Sequence, residues 1–300
     1  MFINRRKFIK STGISVAAFA LPEEFISKQK PPKLSFSTLG CPKWSLPEIV
    51  EFAALHEYQG IEIRTIQGEL NLPKCPAFSK ANTSDTIKMI ADNGLVITDL
   101  GSSANMHHVD EILRQNNLDQ AKRYIDLAAN LRCPYVRVFP DKLPKDNNRK
   151  KILDAIVEAL NELGAYTKGT GVRVLMESHG DLVQADELQF VMEQAPKNVA
   201  MIWDILNMWA LTKEPPSLVF NKLKKHIKHI HVKDAVFVNG QEKFVLLGKG
   251  EAPIKEAIQI IHKSNFKGFY SFEWEKMWHP EIEEPEVALA HYPKEILKYF

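Results

Sequence analysis

From residue 34 onward, short runs rich in Val, Ile, Leu and Phe alternate with longer stretches in which apolar residues recur every three or four positions. The first pattern belongs to strands buried on both faces and the second to amphipathic helices. Their alternation is that of repeated βα units carrying a parallel sheet. Strands are predicted over 34–39, 60–64, 95–100, 135–139, 172–177, 199–204, 227–232 and 268–272. Helical periodicity follows residue 45 up to Gly60 and then covers 85–93, 118–131, 152–168, 185–194, 217–225, 252–262 and 285–299. The first helix opens on Ser45-Leu46-Pro47-Glu48, a capping box with proline in its first turn, and sets Ile49, Phe52, Ala53 and His56 on one face. Eight such pairs, over a stretch that suits the roughly 250 residues of such a barrel, predict an α/β fold of the closed (β/α)8 barrel type as one domain over 33–300. An open doubly wound sheet would alternate too, but no GxGxxG follows any early strand.

Connections leaving helices are short (93–94, 132–134), whereas several leaving strands are long (65–83, 101–117, 274–284). In a parallel barrel the strand-following loops all open at the C-terminal rim, so chemistry is expected there. Four potential metal ligands stand at the ends of the last four strands: Glu177, Asp204, His231 and Glu273. Three carboxylates and an imidazole meeting at one rim would raise one another's pKa unless a cation neutralised them. Oxygen-rich ligation with one histidine suits a single Mn²⁺, Mg²⁺, Co²⁺ or Zn²⁺. The plainer alternative is a buried ion-pair network with Lys233 and Arg137.

Composition narrows the field. The chain is 45% apolar and 25% charged, an ordinary globular ratio. Cys41, Cys75 and Cys133 are odd in number and lack CxxC spacing, which argues against a disulfide scaffold or a cysteine zinc site and leaves any single pairing open. The net charge of +2 becomes −2 once Arg5, Arg6, Lys7 and Lys10 are set aside, so the body lacks the basic face of a nucleic-acid binder. Those four cations precede a short apolar run over 14–20 and the small-x-small triplet Ala18-Phe19-Ala20. The run is too brief to span a bilayer, which takes about 20 apolar residues. Residues 1–20 therefore resemble a twin-arginine export signal, with 21–32 a flexible segment, a periplasmic location and no stable membrane anchor expected.

The four ligand candidates lie in the segments MESHGD, WDILN, HIHVKD and SFEWE, in that order on strands five to eight. In this the chain resembles the xylose isomerase-like TIM barrel superfamily of sugar isomerases and epimerases. The resemblance implies one divalent cation held by Glu177, Asp204, His231 and Glu273, with the two glutamates doubling as acid and base. The chemistry has its own logic. A proton on carbon beside a carbonyl is too weakly acidic for a free carboxylate, unless the developing enediolate is stabilised by a metal. Returning the proton to the opposite face inverts the centre, and returning it to the adjacent carbon moves the carbonyl. Glu177 and Glu273 are the expected catalytic pair, Asp204 and His231 ligands only.

Around them, His179, Lys233, Asn207, Trp44, Trp209 and Arg137 are read as substrate contacts. Tryptophan rings near strand ends (Trp203, Trp274 and Trp278 as well) offer flat walls to the C–H face of a sugar. Asp234 is a rim candidate, Glu62 and Arg64 are expected to pair inside the barrel, His229 reads as a core histidine, and His107 and His108 as loop contacts. Ketose 3-epimerases of the superfamily carry His and Arg where this chain has Asn207 and Phe237, and its His-x-Lys-Asp sequence is closer to the inosose dehydratase branch. The leading expectation is a metal-dependent isomerase or epimerase of an unphosphorylated sugar. The alternatives are a lyase or dehydratase of a keto-sugar or inosose, and a non-catalytic carbohydrate-binding barrel. The expected partner is a small carbohydrate, and a homo-oligomer stays open.

Overall fold

A computed structural model describes residues 31–300, in which Pro31–Phe300 is one compact unit. The export signal and nearly all of the flexible segment expected before the barrel lie outside the described residues. Continuous apolar runs become β1 (Lys33–Ser37), β2 (Gly60–Ile63), β3 (Val96–Asn105), β4 (Tyr135–Phe139), β5 (Arg173–Glu177), β6 (Val199–Asp204) and β7 (Ile227–Val232). A hairpin of β8 (Asp234–Val238) and β9 (Gln241–Val245) follows, and then β10 (Phe269–Phe272). Strands β1 to β7 pair in parallel in chain order, and β10 bridges β7 to β1. The sheet thus closes into the eight-stranded barrel that the alternation predicts.

The helices α1 (Leu46–Leu55), α2 (Thr83–Asp92), α3 (Glu111–Leu131), α4 (Arg149–Tyr166), α5 (Ala185–Gln194), α6 (Ile205–Thr212), α7 (Pro216–Leu223), α8 (Ile254–Lys263) and α9 (Pro285–Ile296) fill the connections. The capping box at Ser45 and Glu48 is present. Three departures from the periodicity stand out. Helix α3 begins at Glu111 rather than 118, because Asp110 caps it by accepting the Leu113 N–H at 2.9 Å. Helix α6 directly follows β6, with Asp204 as its N-cap. The β8–β9 hairpin turns on Asn239-Gly240, both at positive φ (52° and 77°), as a two-residue type I′ turn requires.

Side chains alternate between the two faces of each strand. Outward residues such as Met176, Trp203, Ile230 and Val232 join the main core between barrel and helices, each contributing roughly 1.5–3 kcal/mol by burial. Inward, Leu175, Ala200 and Ile202 form a small separate apolar cluster. The interior also holds buried polar groups: Glu62, Asp99, Arg137, His229, His231 and Ser271. Such a lumen is usually packed with branched apolar residues, so this polar column marks where the fold is committed to something other than packing. Among the described residues no helix is long and apolar enough to cross a membrane, and the three cysteines are buried and unpaired.

Candidate active site

Glu177 ends β5, Asp204 ends β6, His231 lies one residue from the end of β7, and Glu273 follows β10 directly. All four are buried, the most exposed at 5%. His231 Nδ1 lies 3.4 Å from Glu177 Oε1, 3.4 Å from Glu273 Oε2 and 3.9 Å from Asp204 Oδ2. The four residues each offer a donor atom, and these lie within 4.8 Å of one another. A divalent cation with bonds of about 2.1 Å sets donor separations of roughly 3.0–4.2 Å. His231 Nδ1 and Asp204 Oδ2 are buried without a hydrogen-bond partner. The residues therefore fit a divalent ion.

The electrostatics agree. Burial and the neighbouring Glu273 act to raise Glu177, but His231 and Arg137 outweigh them and hold it at about 2. Burial likewise opposes ionisation of Glu273, and His231 and Lys233 prevail, keeping it well below the usual carboxylate range. Asp204 goes the other way: burial lifts it to about 7 against the pull of Lys233. For His231 burial is overcome by Glu273, Glu62 and Glu177, which raise its affinity for a proton well above the ordinary imidazole. Such a cluster attracts positive charge, whether a proton on Nδ1 or a metal ion.

The ion-pair network weighed as an alternative is also present, wrapped around the same groups. Arg137 Nη1 donates to Glu177 Oε2 at 2.7 Å and its guanidinium lies 3.9 Å from the centre of the Phe139 ring. Lys233 Nζ donates to Glu273 Oε2 at 2.7 Å and Glu275 Oε1 at 2.6 Å, and lies 2.9 Å from Asp204 Oδ2 without hydrogen-bond alignment.

Beneath this level the expected Glu62–Arg64 pair does not form. Glu62 Oε2 takes His229 Nε2 at 3.0 Å, His231 Nε2 at 2.9 Å and Ser271 Oγ at 2.9 Å, reaching across the lumen from β2 to β7 and β10. The two residues share a face of β2 but sit at different depths, and Arg64 belongs to the rim. His229 is the buried histidine expected of it, but only its Nε2 is bonded, to Glu62, and its Nδ1 has no partner.

Over the glutamates opens a cavity of about 210 Å³ lined also by Arg64, Arg137, Phe139, His179, Lys233 and Trp278. That is small beside the roughly 300–1,000 Å³ of drug-sized pockets, and it suits a ligand of few carbons. His179 stands at its edge, Nδ1 3.0 Å from Asp141 Oδ1 and its ring against Phe139. The cavity lining thus gathers Glu177, Glu273, His179, Lys233 and Arg137 from the sequence expectations, with Asp204 and His231 beneath. Three other candidates stand apart from that lining. Trp44 packs on Phe52, Trp209 lies against Phe237 with the Lys213 ammonium over its ring, and Asn207 caps back to Asp204 through its backbone N–H at 2.8 Å. Trp203 and Trp274 are buried in the core, leaving Trp278 as the cavity's tryptophan. Asp234 accepts the N–H groups of Ala235, Gly248 and Gly250, fastening the hairpin to the loop after it. His107 and His108 pack on each other outside the lining. Leu39, Phe139 and Glu275 are the cavity groups that sequence reading did not assign, and Arg64 is one that it assigned to an ion pair instead. Phe139 carries a readable signal, since alternation places it on the face of Arg137.

Comparison with known proteins adds three relatives. Fructoselysine 3-epimerase of Shigella flexneri is 22% identical over 207 residues, 67% of this chain and 71% of that protein. The solved structure of a probable 3-DHS dehydratase, AsbF, from Bacillus anthracis superposes with a TM-score of 0.73 at 17% identity, covering 88% of this chain and 98% of the other. The IOLI protein with a binding zinc atom superposes with a TM-score of 0.75 at 18% identity, covering 89% and 97%. At these identities the superpositions speak to the fold. The family model described as xylose isomerase-like TIM barrel matches residues 50–294, and the chain belongs to that family.

Proposed function

We propose that this protein is an enzyme that epimerises or isomerises a small unphosphorylated sugar or sugar-like hydroxyketone by moving a proton on the carbon beside a carbonyl. The observation that carries the reading is the meeting of Glu177, Asp204, His231 and Glu273 beneath a small cavity. A divalent cation (Mn²⁺, Mg²⁺, Co²⁺ or Zn²⁺) held by those four would polarise the substrate carbonyl and stabilise the enediolate charge. Glu177 and Glu273 both border the cavity and both favour the ionised form, so each is competent to take a proton from carbon. Arg137 grips the Oε2 of Glu177 and so fixes its plane, leaving Oε1 on the side of His231. Lys233 holds Glu273 in the same way. An epimerase among the relatives supports this reading.

Dehydration is the second reading, and His179 favours it. Burial lowers its proton affinity, but the hydrogen bond to Asp141 and the charge of Glu177 more than offset this and raise it. An imidazolium at the cavity edge suits protonation of a departing hydroxyl after the same first step. We further propose that the protein acts outside the cytoplasm, on the strength of Arg5-Arg6 and the apolar run after them.

The deciding experiment incubates the protein with a divalent salt, D₂O and a panel of keto sugars and inososes, and follows deuterium at carbon by NMR. Every enolising route exchanges that proton. Loss of one water in the product mass selects the dehydratase. Absence of exchange into the whole panel, or exchange indifferent to a strong chelator, defeats the proposal.

A further inference from the structure

One cation in the cavity wall is not engaged by an acid of the protein's own among the described residues. Arg137 is committed to Glu177, and Lys233 to Glu273 and Glu275. Arg64, only 7% exposed, reaches Ser103 Oγ at 2.8 Å and the Gly101 carbonyl at 3.5 Å, and forms no ion pair among the described residues. Both partners are neutral. A buried charge without a hydrogen-bonded counter-charge is costly, and the usual escape, giving up the proton, is closed to a guanidinium. Burial and Arg137 bring Arg64 down to about 10 against the pull of Tyr124, Glu273 and Glu177, so it stays cationic near neutral pH.

The pairing of the two guanidiniums is built in. Arg64 on the β2 side and Arg137 on β4 flank Gly101 of β3, and a Cβ at that glycine would stand 2.8 Å from Arg64 Cδ and 2.9 Å from Arg137 Nη2. Glycine is what leaves room for both side chains against β3. Arg137 adds a buried Nε without a partner. Both residues line the cavity that also contains Glu177 and Glu273.

We propose that Arg64, with Arg137 beside it, is the subsite for a carboxylate carried by the substrate, so that the natural substrate is an acidic hydroxyketone of the uronate type and not a neutral sugar. This rests on the function proposed above and deepens it. A guanidinium presents paired planar donors that match the two oxygens of a carboxylate. With Lys233 and Arg137 occupied by the protein's own acids, Arg64 is left for the ligand's. A phosphate ester shares the anionic oxygens. It is the poorer occupant, because the wall lacks a glycine-rich run of backbone N–H groups of the kind that cradles phosphate.

Calorimetric titration of the metal-supplemented protein tests this with matched sets: D-fructose, D-fructuronate and D-fructose 6-phosphate, and the three corresponding tagatose compounds. At least one uronate is expected to bind about ten-fold or more tightly than its neutral parent, the margin of one charge-assisted contact. Arg64→Gln should erase that margin and Arg64→Lys restore part of it. Equal affinity of acid and parent in both sets, no binding by either uronate, or a margin that survives Arg64→Gln overturns the subsite. Tighter binding of a phosphate ester overturns the carboxylate assignment. The wild-type comparison stands even where a variant fails to fold. Deuterium exchange in the same samples separates the two proposals. Exchange into neutral ketoses with no acid preference removes the subsite and keeps the function, and acid preference without any exchange does the reverse.

Discussion

Glu62 Oε2 and His231 Nε2 lie 2.9 Å apart across the barrel lumen. Burial acts to raise the Glu62 carboxyl, yet the His231 charge and the hydrogen bonds of both imidazoles hold it well below the usual carboxylate range. An ionised carboxylate only accepts hydrogen bonds, so Nε2 carries a proton towards Glu62, and Nδ1 is the nitrogen that faces Glu177, Asp204 and Glu273 and would bind a metal ion in place of its own proton. Sequence distance hides this relationship, since 169 residues separate the two.

Glu62 therefore orients a ligand without touching the reacting atoms. Glu62→Gln keeps the shape and removes the charge that fixes the ring. Loss of such a partner typically costs about 10–100-fold in metal affinity. Competition against a chromophoric chelator measures this, and ¹⁵N shifts of the His231 ring report its tautomer. Unchanged affinity together with an unchanged tautomer would remove Glu62 from the site.

Glu177→Gln and Glu273→Gln each take away a carboxylate proposed to accept a proton from carbon. Loss of an acid–base group typically lowers turnover by about 10²–10⁴-fold. Circular dichroism should report the same fold. Once a substrate is identified by exchange, full activity in either variant would discard the two-carboxylate mechanism. A variant that still exchanges deuterium but forms no product would identify the group that returns the proton.

How far the chain could be read in advance varies with the kind of feature. Parallel strands such as β6 and β7 are buried on both faces and appear as unbroken apolar runs, so their limits matched the expectation. The start of α3 was hidden because Ile112 and Leu113 face solvent and break the stripe. The hairpin escaped because Gln241, Glu242 and Lys243 are exposed and carry no apolar run, although Asn239-Gly240 announced its turn. Ligand candidates at strand ends were legible, since the fold itself brings strand ends together. The partners of Glu62 and Arg64 were not. Alternation states which face a side chain takes, but its depth in the lumen follows from the stagger of closed strands. The same limit applies to Trp44 and Trp209, which lie on the expected side of the barrel but turn to Phe52 and Phe237.

Asp99 gives a pH signature independent of substrate. It faces Glu62 across the β2–β3 register, and both carboxyl oxygens are buried without a partner. Burial, reinforced by Glu62, raises it well above its ordinary 3.8. The sign follows from proton counting. Above 3.8 the unfolded chain releases this proton while the folded chain keeps it, so stability falls as pH rises, by at most about 1.4 kcal/mol per pH unit until the folded pKa is reached. Stability from the neutral acid is complete below 3.8 and fades above it. Asp99→Asn, neutral throughout, should match the wild type near about pH 4 and exceed it increasingly towards about pH 8. Urea melts across that range test this, and parallel curves for the two proteins would refute a buried neutral Asp99.

Lys233 and a divalent cation answer the same negative charge, so removing one should sharpen dependence on the other. Burial opposes the ammonium, but Asp204, Glu273 and Glu275 keep it firmly protonated. Lys233→Met preserves the length of the stem and leaves those acids short of a counter-charge, a loss of roughly 3–5 kcal/mol for a broken buried pair. In chelator the variant should melt well below the wild type. With a divalent salt it should recover more than the wild type gains, because bound metal stabilises by mass action and its ligands no longer share their oxygens with an ammonium. Thermal melts of both proteins with EDTA and with Mn²⁺ provide the four values needed. If the metal-induced rise in Tm is no larger in the variant, Lys233 and the cation do not share Asp204 and Glu273, and the ligand set needs redrawing.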